Sequence, residues 1–182
     1  METKKRISKE QHYMNIAREV SLRCSCYRAQ HGTLIVKDDQ IISTGYVGAP
    51  RKTKDCFERK SCLRRDLGIP SGQRYELCRS VHAEQNALIN AARSGVSTIG
   101  AKMYSYSVKM DDEGKATVVN AYPCFICKKE IINAGIEEVL CHQADGSIKK
   151  YSVSDWIKDW QEKDLIDDME QYGVKTVKTN KE

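Results

Sequence analysis

The sequence predicts an α/β protein, because segments with helical periodicity alternate with short runs rich in β-branched and aromatic residues. With 182 residues, of which 40% are hydrophobic, the chain can bury a core of ordinary size. No internal repeat, low-complexity tract or linker rich in Pro and Gly divides it. We therefore expect one domain over residues 1–182, with a cysteine-bearing loop at about 51–81 and a C-terminal helical tail from about 155.

The first half of the chain predicts one helix and one hairpin. The helix covers about residues 8–24, with Ser8 as a candidate N-cap. Two apolar runs at 33–37 and 40–45 surround a polar turn and predict a hairpin of two short strands. Residues 51–81 show no periodic element, and a loop of this length inside a compact domain is usually functional or held in place by some other interaction.

The second half alternates helix and strand. An apolar helix begins near His82 and ends at Gly95, and another begins after Pro123 and ends at Gly135, since Pro suits a first helical turn and Gly a helix end. Strands are predicted between and after these helices, over residues 101–108, 116–119 and 137–140.

Composition and charge limit the classes of partner. The net charge of +5 is mildly basic, but the basic residues form scattered pairs without interleaved aromatic residues, so we do not expect nucleic-acid binding. Neither a secretory signal nor an apolar run of membrane-spanning length is present, and a cytoplasmic protein is expected. In a reducing compartment, eight cysteines indicate metal binding or chemistry rather than disulfides.

Two short motifs carry the strongest chemical signal. One reads His82-Ala83-Glu84, and the other reads Pro123-Cys124-Phe125-Ile126-Cys127. The imidazole and the two thiols are ligands that zinc prefers, and three protein ligands with an open fourth position are typical of a catalytic zinc. A lone C-x-x-C could equally be a redox pair or half of a structural zinc site. The presence of both motifs, each at the start of a helix, favours the catalytic interpretation.

Glu84 indicates what such a metal is for. Zinc lowers the pKa of bound water to about 7. A carboxylate beside that water can take its proton and pass it to a leaving group. Glu84 is therefore the candidate catalytic residue, and His82, Cys124 and Cys127 are the candidate zinc ligands.

The remaining cysteines suggest a second metal. Cys56, Cys62 and Cys78 could bind a structural zinc that holds the 51–81 loop, with either Cys26 or Cys24 as the fourth sulfur ligand that closes such a site. We predict the set Cys26, Cys56, Cys62 and Cys78. Alternatively, these residues are free thiols, some of them buried as small apolar groups.

These motifs resemble the zinc-dependent cytidine and deoxycytidylate deaminase family, whose signature is H-x-E followed by P-C-x-x-C. The resemblance covers about residues 10–140 and is greatest to the dCMP deaminase branch. It implies a three-layer α/β/α sandwich around a five-stranded mixed sheet. It also implies homo-oligomers, and some members with a similar loop bind a second zinc.

One position departs from the branch, which usually has Asn where this chain has Val47 in Gly45-Tyr46-Val47-Gly48. Valine cannot make the side-chain hydrogen bonds of asparagine. An insertion at about 108–120 also precedes Pro123. Both differences concern substrate choice, and the candidate substrate contacts are Val47, Ala83, Arg51 and Arg93.

The activity implied by the resemblance is the hydrolytic conversion of dCMP to dUMP and ammonia. Two alternatives remain open. One is deamination of another nucleoside, a nucleobase or a tRNA adenosine. The other is a non-catalytic, zinc-stabilised accessory protein. For dCMP deamination, the expected partner is a small-molecule nucleotide substrate. We expect no membrane partner.

Overall fold

A computed structural model describes residues 6–70 and 72–162. In chain order the elements are α1 (Lys9–Ser21), β1 (Ala29–Lys37), β2 (Gln40–Tyr46), α2 (Cys56–Arg59), α3 (Leu63–Asp66), a 3-10 helix (Tyr75–Leu77), α4 (Ala83–Arg93), β3 (Lys102–Met110), β4 (Ala116–Val118), α5 (Phe125–Asn133), β5 (Glu138–His142), β6 (Ile148–Ser152) and α6 (Val153–Glu162).

The strands form one mixed sheet in the order β2-β1-β3-β5-β6, with β4 paired to the end of β3. β3 and β5 are parallel, and every other pair is antiparallel. α5 is the crossover helix that leads from β3 and β4 to β5, which runs parallel to β3. The N-terminus of α5 therefore lies near the end of β3 that carries the insertion. The predicted mixed sheet is confirmed, with six strands rather than five.

Side chains alternate between two apolar clusters on opposite faces of the sheet, as the period of a strand requires. Leu34 and Val36 of β1 pack against Tyr13 and Met14 of α1. Ile35 faces the other way, into a cluster with α4, α5 and α6. Helices therefore cover both faces, which confirms the expected three-layer α/β/α arrangement.

Close contact between β2 and α4 requires a glycine. A Cβ added at Gly45 would lie 2.2 Å from the Ala83 carbonyl oxygen and 2.3 Å from the Ala87 nitrogen. Such distances are shorter than any normal packing contact, so only Gly allows the helix backbone to approach the strand. This contact places the first turn of α4, which carries His82 and Glu84, against the end of β2.

The elements differ from prediction in three places. Strand β6 was not predicted, because Lys149 and Lys150 make it an exposed, charged edge strand with a weak apolar pattern. The loop at 51–81 contains helices of only three or four residues, which caps and local turns stabilise. They are too short to show the apolar periodicity from which a helix is predicted.

The last helix, α6, begins at Val153 rather than at about 155. Its predicted continuation through Leu165, Ile166 and Met169 lies outside the described residues. Within residues 6–70 and 72–162, no helix is long and apolar enough to cross a membrane.

Candidate metal centre and active site

Two helix N-termini bring the three predicted ligands together. His82 is the N-cap of α4 and Cys124 is the N-cap of α5, one turn before Cys127. The His82 Nδ1 atom lies 3.3 Å from the Cys124 Sγ and 3.4 Å from the Cys127 Sγ. Within the part of the chain that the structure describes, these residues form the only group of three or more His, Cys, Asp or Glu with ligand atoms within 4.8 Å of one another.

The distances fit a tetrahedral zinc. With Zn–N bonds of about 2.0–2.1 Å and Zn–S bonds of about 2.3 Å, a tetrahedron separates nitrogen from sulfur by about 3.5 Å. The observed Nδ1–Sγ distances of 3.3 and 3.4 Å are close to that value. One nitrogen and two sulfurs also make a donor set that zinc prefers. The three residues could therefore hold the metal without rearrangement.

The thiols and the imidazole perturb one another. A hydrogen bond from the Cys127 thiol, and then one from His82, lower the pKa of Cys124 despite its burial. The same hydrogen bond, with burial and the charge of Glu84, raises the pKa of Cys127. Burial lowers the pKa of His82, but the hydrogen bond and charge of Cys124 raise it overall. Metal binding requires both thiols to lose their protons, so the affinity of this site for a metal should depend on pH.

Glu84 lies in the first turn of α4 and is only 5% exposed. Burial raises the pKa of its carboxyl group, while the nearby His82 acts in the opposite direction. A raised pKa makes the carboxylate a better proton acceptor than an exposed glutamate. Glu84 therefore has the environment of a proton carrier beside the candidate metal site.

A cavity of about 380 Å³ opens onto this centre. His82, Glu84 and Cys124 line one part of it. The end of β3 and the insertion supply Ser107, Val108, Lys109, Val119 and Asn120. Both ends of the insertion at 108–120 thus reach the cavity wall, and its role in substrate choice remains a prediction.

Two aromatic rings near the centre were not predicted. Tyr75 packs edge-on against His82 with ring centroids 4.8 Å apart. His31 lies on β1 with its Nε2 2.9 Å from the Ser107 Oγ. Both line the cavity. A lone His in a strand and a Tyr in a non-periodic loop give no local signal, so only the folded chain identifies them.

The candidate substrate contacts are divided between the cavity and the surface. Val47 lines the cavity, and the fully buried Ala83 packs behind it. Arg51 is exposed and donates a hydrogen bond to the Asn90 side chain, and Arg93 is exposed near the end of α4. Neither arginine lines the cavity, and both remain predictions as substrate contacts.

The four cysteines assigned to a second zinc all line this same cavity. Each is free of disulfides, as are Cys24, Cys124, Cys127 and Cys141. Among the described residues, these four do not come together as a further group of three or more candidate metal ligands. The second zinc therefore remains a prediction.

An α/β/α sandwich with one nitrogen and two sulfurs gathered at two helix N-termini defines a class of zinc-binding enzyme folds. Residues 7–143 match the cytidine and deoxycytidylate deaminase zinc-binding region. This chain therefore belongs to the cytidine and deoxycytidylate deaminase family.

Similar proteins include a deoxycytidylate deaminase of Schizosaccharomyces pombe, 30% identical over 137 residues, and one of Mycobacterium phage D29, 32% identical over 136 residues. These matches cover 75% and 72% of this chain. The chain spans 38% of the length of the yeast protein and 91% of that of the phage protein.

A solved structure is also similar to this chain. It is the dCMP deaminase from the cyanophage S-TIM5 in complex with dCMP and dUMP. The two chains are 26% identical with a TM-score of 0.51, and the match covers 71% of this chain and 77% of that one.

Proposed function

We propose that this protein is a zinc-dependent hydrolytic deaminase that converts dCMP to dUMP and ammonia. One observation carries the chemistry: the buried Glu84 lines the same cavity as His82 and Cys124, which cluster with Cys127 as candidate metal ligands. The choice of dCMP as the substrate is supported by the relatives named deoxycytidylate deaminase and by the similar structure that holds dCMP and dUMP. A purely structural site needs neither an open position nor a buried carboxylate, so the accessory-protein alternative is not favoured.

The residues have distinct tasks in this reaction. His82 Nδ1 and the Sγ atoms of Cys124 and Cys127 would hold the zinc, whose chemistry is to lower the pKa of water to about 7. A zinc held there would supply an activated water for hydrolysis, in which a C–O bond forms at C4 of the cytosine ring and the bond from C4 to the exocyclic nitrogen breaks.

Glu84 moves the protons. Its carboxylate takes one proton from the attacking water and gives it to the ring nitrogen N3. It then takes the proton of the new C4 hydroxyl and gives it to the amino group, which leaves as ammonia while the C4 carbonyl forms. The raised pKa of this buried carboxyl group suits both the accepting and the releasing step. Tyr75, packed against His82, covers one side of the centre and limits the access of bulk water.

Ammonia release tests the proposal. Wild-type protein loaded with zinc should release ammonia from dCMP faster than from deoxycytidine, cytosine, dCTP or tRNA. Glu84→Gln should lower kcat by about 100-fold or more while zinc stays bound, because Glu84 is not a ligand. Glu19→Gln, an exposed change in α1, is the matched control and should keep full activity. Near-normal turnover by the Glu84 variant, or preference for another substrate, would contradict the proposal.

A second, structural zinc bound by Cys26, Cys56, Cys62 and Cys78 is also part of the proposal. Burial, and then the charges of Cys26, Cys62 and Cys78, raise the pKa of Cys56 to about 11, and all four residues line the same cavity, which supports the proposal. Metal analysis should find two zincs per chain. Cys62→Ser should lower this to one, and Cys141→Ser, at a buried thiol in β5, should leave it at two. One zinc in the wild type would remove the second site.

We further propose a cytoplasmic homo-oligomer. The absence of disulfides among the eight cysteines suits a reducing compartment. Helices on one face of the sheet leave apolar side chains exposed, namely Ile89, Ile126, Ile157 and Trp160, and these suit a contact between copies. Light scattering should give a mass that is a multiple of 20.7 kDa, and a monomer at micromolar concentration would contradict it.

A further inference from the structure

The cavity beside the proposed active site is strongly cationic. Its walls include Arg28, Arg64, Arg79 and Lys109, whereas Glu84 is the only carboxylate among the described residues that line it. Glu84 belongs to the reaction centre. The remaining wall therefore carries positive charge with no matching acid, and such a surface favours an anionic ligand.

Arg64 differs from the other three cations in being buried. The side chain is on α3, in the cysteine-bearing loop, and the residue is only 5% exposed. Arg28 and Arg79 are more exposed and donate to the carbonyl oxygens of Ile69 and Lys54. Lys109 is exposed. A buried guanidinium must find partners for its N–H groups, because an unpaired buried charge is costly.

The partners of Arg64 within the described residues are incomplete. Its Nη2 donates to the Pro70 carbonyl oxygen at 3.1 Å, and its guanidinium carbon lies 4.8 Å above the Tyr75 ring. Its Nε is buried and has no hydrogen-bond partner. The nearby Glu76 carboxylate pairs with Arg74 instead. The protein itself therefore leaves this buried N–H donor unsatisfied, on a side chain that lines a cationic cavity.

Tyr75 connects this arginine to the reaction centre. The Arg64 guanidinium lies over one face of the Tyr75 ring, and the ring edge contacts His82 with centroids 4.8 Å apart. Arg64 is therefore separated from the proposed zinc ligand by a single aromatic ring. A nucleotide also has two groups at a distance from each other, because its sugar lies between the base and the phosphate. With the base at the reaction centre, the phosphate would lie towards Arg64.

We propose that Arg64 binds the 5′-phosphate of the substrate and so makes the enzyme select nucleotides over nucleosides. The inference rests on the proposed deaminase function and deepens it. A guanidinium fork suits a phosphate, because it donates parallel hydrogen bonds to two oxygens. Arg64 Nε–H supplies one of these donors, and Tyr75 holds the guanidinium plane in position.

A comparison of two substrates tests this role. Arg64→Met should lower kcat/KM for dCMP by about 10- to 100-fold, the range expected for a lost hydrogen bond to a charged group. For deoxycytidine, which has no phosphate, kcat/KM should change less than about threefold. Arg64→Lys should recover part of the loss for dCMP, because the charge remains while the fork is lost.

Arg65→Met is the matched control. This neighbouring arginine on α3 donates to the carbonyl oxygens of Tyr27 and Asp111 and pairs with Asp112, and it does not line the cavity. Its loss should affect both substrates equally. An equal loss for both substrates in Arg64→Met would show that Arg64 only supports the loop and would overturn the proposal.

A measurement on the wild-type protein makes the test independent of variant folding. The Arg64 Nε–H resonance, assigned through bonds in ¹⁵N-labelled protein, should shift on addition of dUMP and stay in place with deoxyuridine. No shift with dUMP at saturation would overturn the assignment. A protein that binds dUMP in this way but releases no ammonia from dCMP would contradict the proposed function and leave the phosphate site standing.

Discussion

Gln85 on α4 and Glu130 on α5 are joined by a hydrogen bond of 2.8 Å, from Gln85 Nε2 to Glu130 Oε1. The Gln85 Oε1 accepts a second hydrogen bond, of 3.0 Å, from the His82 backbone N–H. One side chain thus connects the backbone of one proposed zinc ligand to the helix that carries the other two. The two halves of the centre keep their relative position through this link.

Loss of this link should weaken metal binding. Gln85→Ala removes both hydrogen bonds, and outer hydrogen bonds of this kind are typically worth about 10- to 100-fold in metal affinity. Competition with a chromophoric chelator measures the change. Gln11→Ala, which removes an exposed hydrogen bond to Asn15 on α1, is the matched control. Unchanged zinc affinity in Gln85→Ala would show that the helix ends need no such support.

Zinc removal should destabilise the protein. Metal that binds the folded state alone stabilises it by mass action, so a strong chelator should lower Tm by about 5 °C or more. Cys127→Ser, which removes a fully buried proposed ligand, should show a smaller chelator effect. Glu84→Gln should respond as the wild type does, because Glu84 is not a ligand. An equal response in all three proteins would contradict the assignment of Cys127.

His31 should make stability depend on pH. Burial, reinforced by the charge of His82, lowers the pKa of His31 from 6.5 to about 4. Between these values the unfolded chain binds a proton that the folded chain does not, so stability falls as pH decreases. The contribution is complete above about 6.5 and is lost on acidification towards pH 4.

Denaturant unfolding between pH 7 and pH 4 measures this effect. His31→Gln has no titrating ring and should lose less stability than the wild type over that range. His12→Gln, at an exposed position in α1, is the control and should follow the wild type. Zinc release at low pH affects all three proteins, so the difference between them isolates His31. Parallel curves for His31→Gln and wild type would contradict the prediction.

Gly45→Ala should be strongly destabilising. Its Cβ would meet the α4 backbone at 2.2 Å, and overpacking of this kind costs about 1–3 kcal/mol or more in the free energy of unfolding. Zinc affinity should fall as well, because α4 carries His82. Gly114→Ala is a suitable control, since its Cβ meets nothing within 4 Å and its positive φ of 82° costs only about 1–2 kcal/mol. Equal costs for the two variants would show that α4 can move away from β2.

Much of the centre is local and could be predicted from sequence. Spacing alone puts Cys124 and Cys127 on one turn of a helix and Glu84 two residues after His82, at the start of another. Gln85 could also have been found, because a Gln at the third helical position commonly accepts the N-cap N–H. Strand β6 could not be predicted in this way, because its two consecutive exposed lysines interrupt any alternation of apolar and polar residues.

The sequence by itself determined the α/β class, the donor set of the metal centre and the carboxylate beside it, since each depends on residues that are neighbours along the chain. The tertiary structure decided that Tyr75 contacts His82, that His31 bonds to Ser107, and that the buried Arg64 lies in the cavity wall. These contacts join segments that are distant in sequence. They arise from how the sheet, the helices and the 51–81 loop pack together, and no local pattern of residues encodes them.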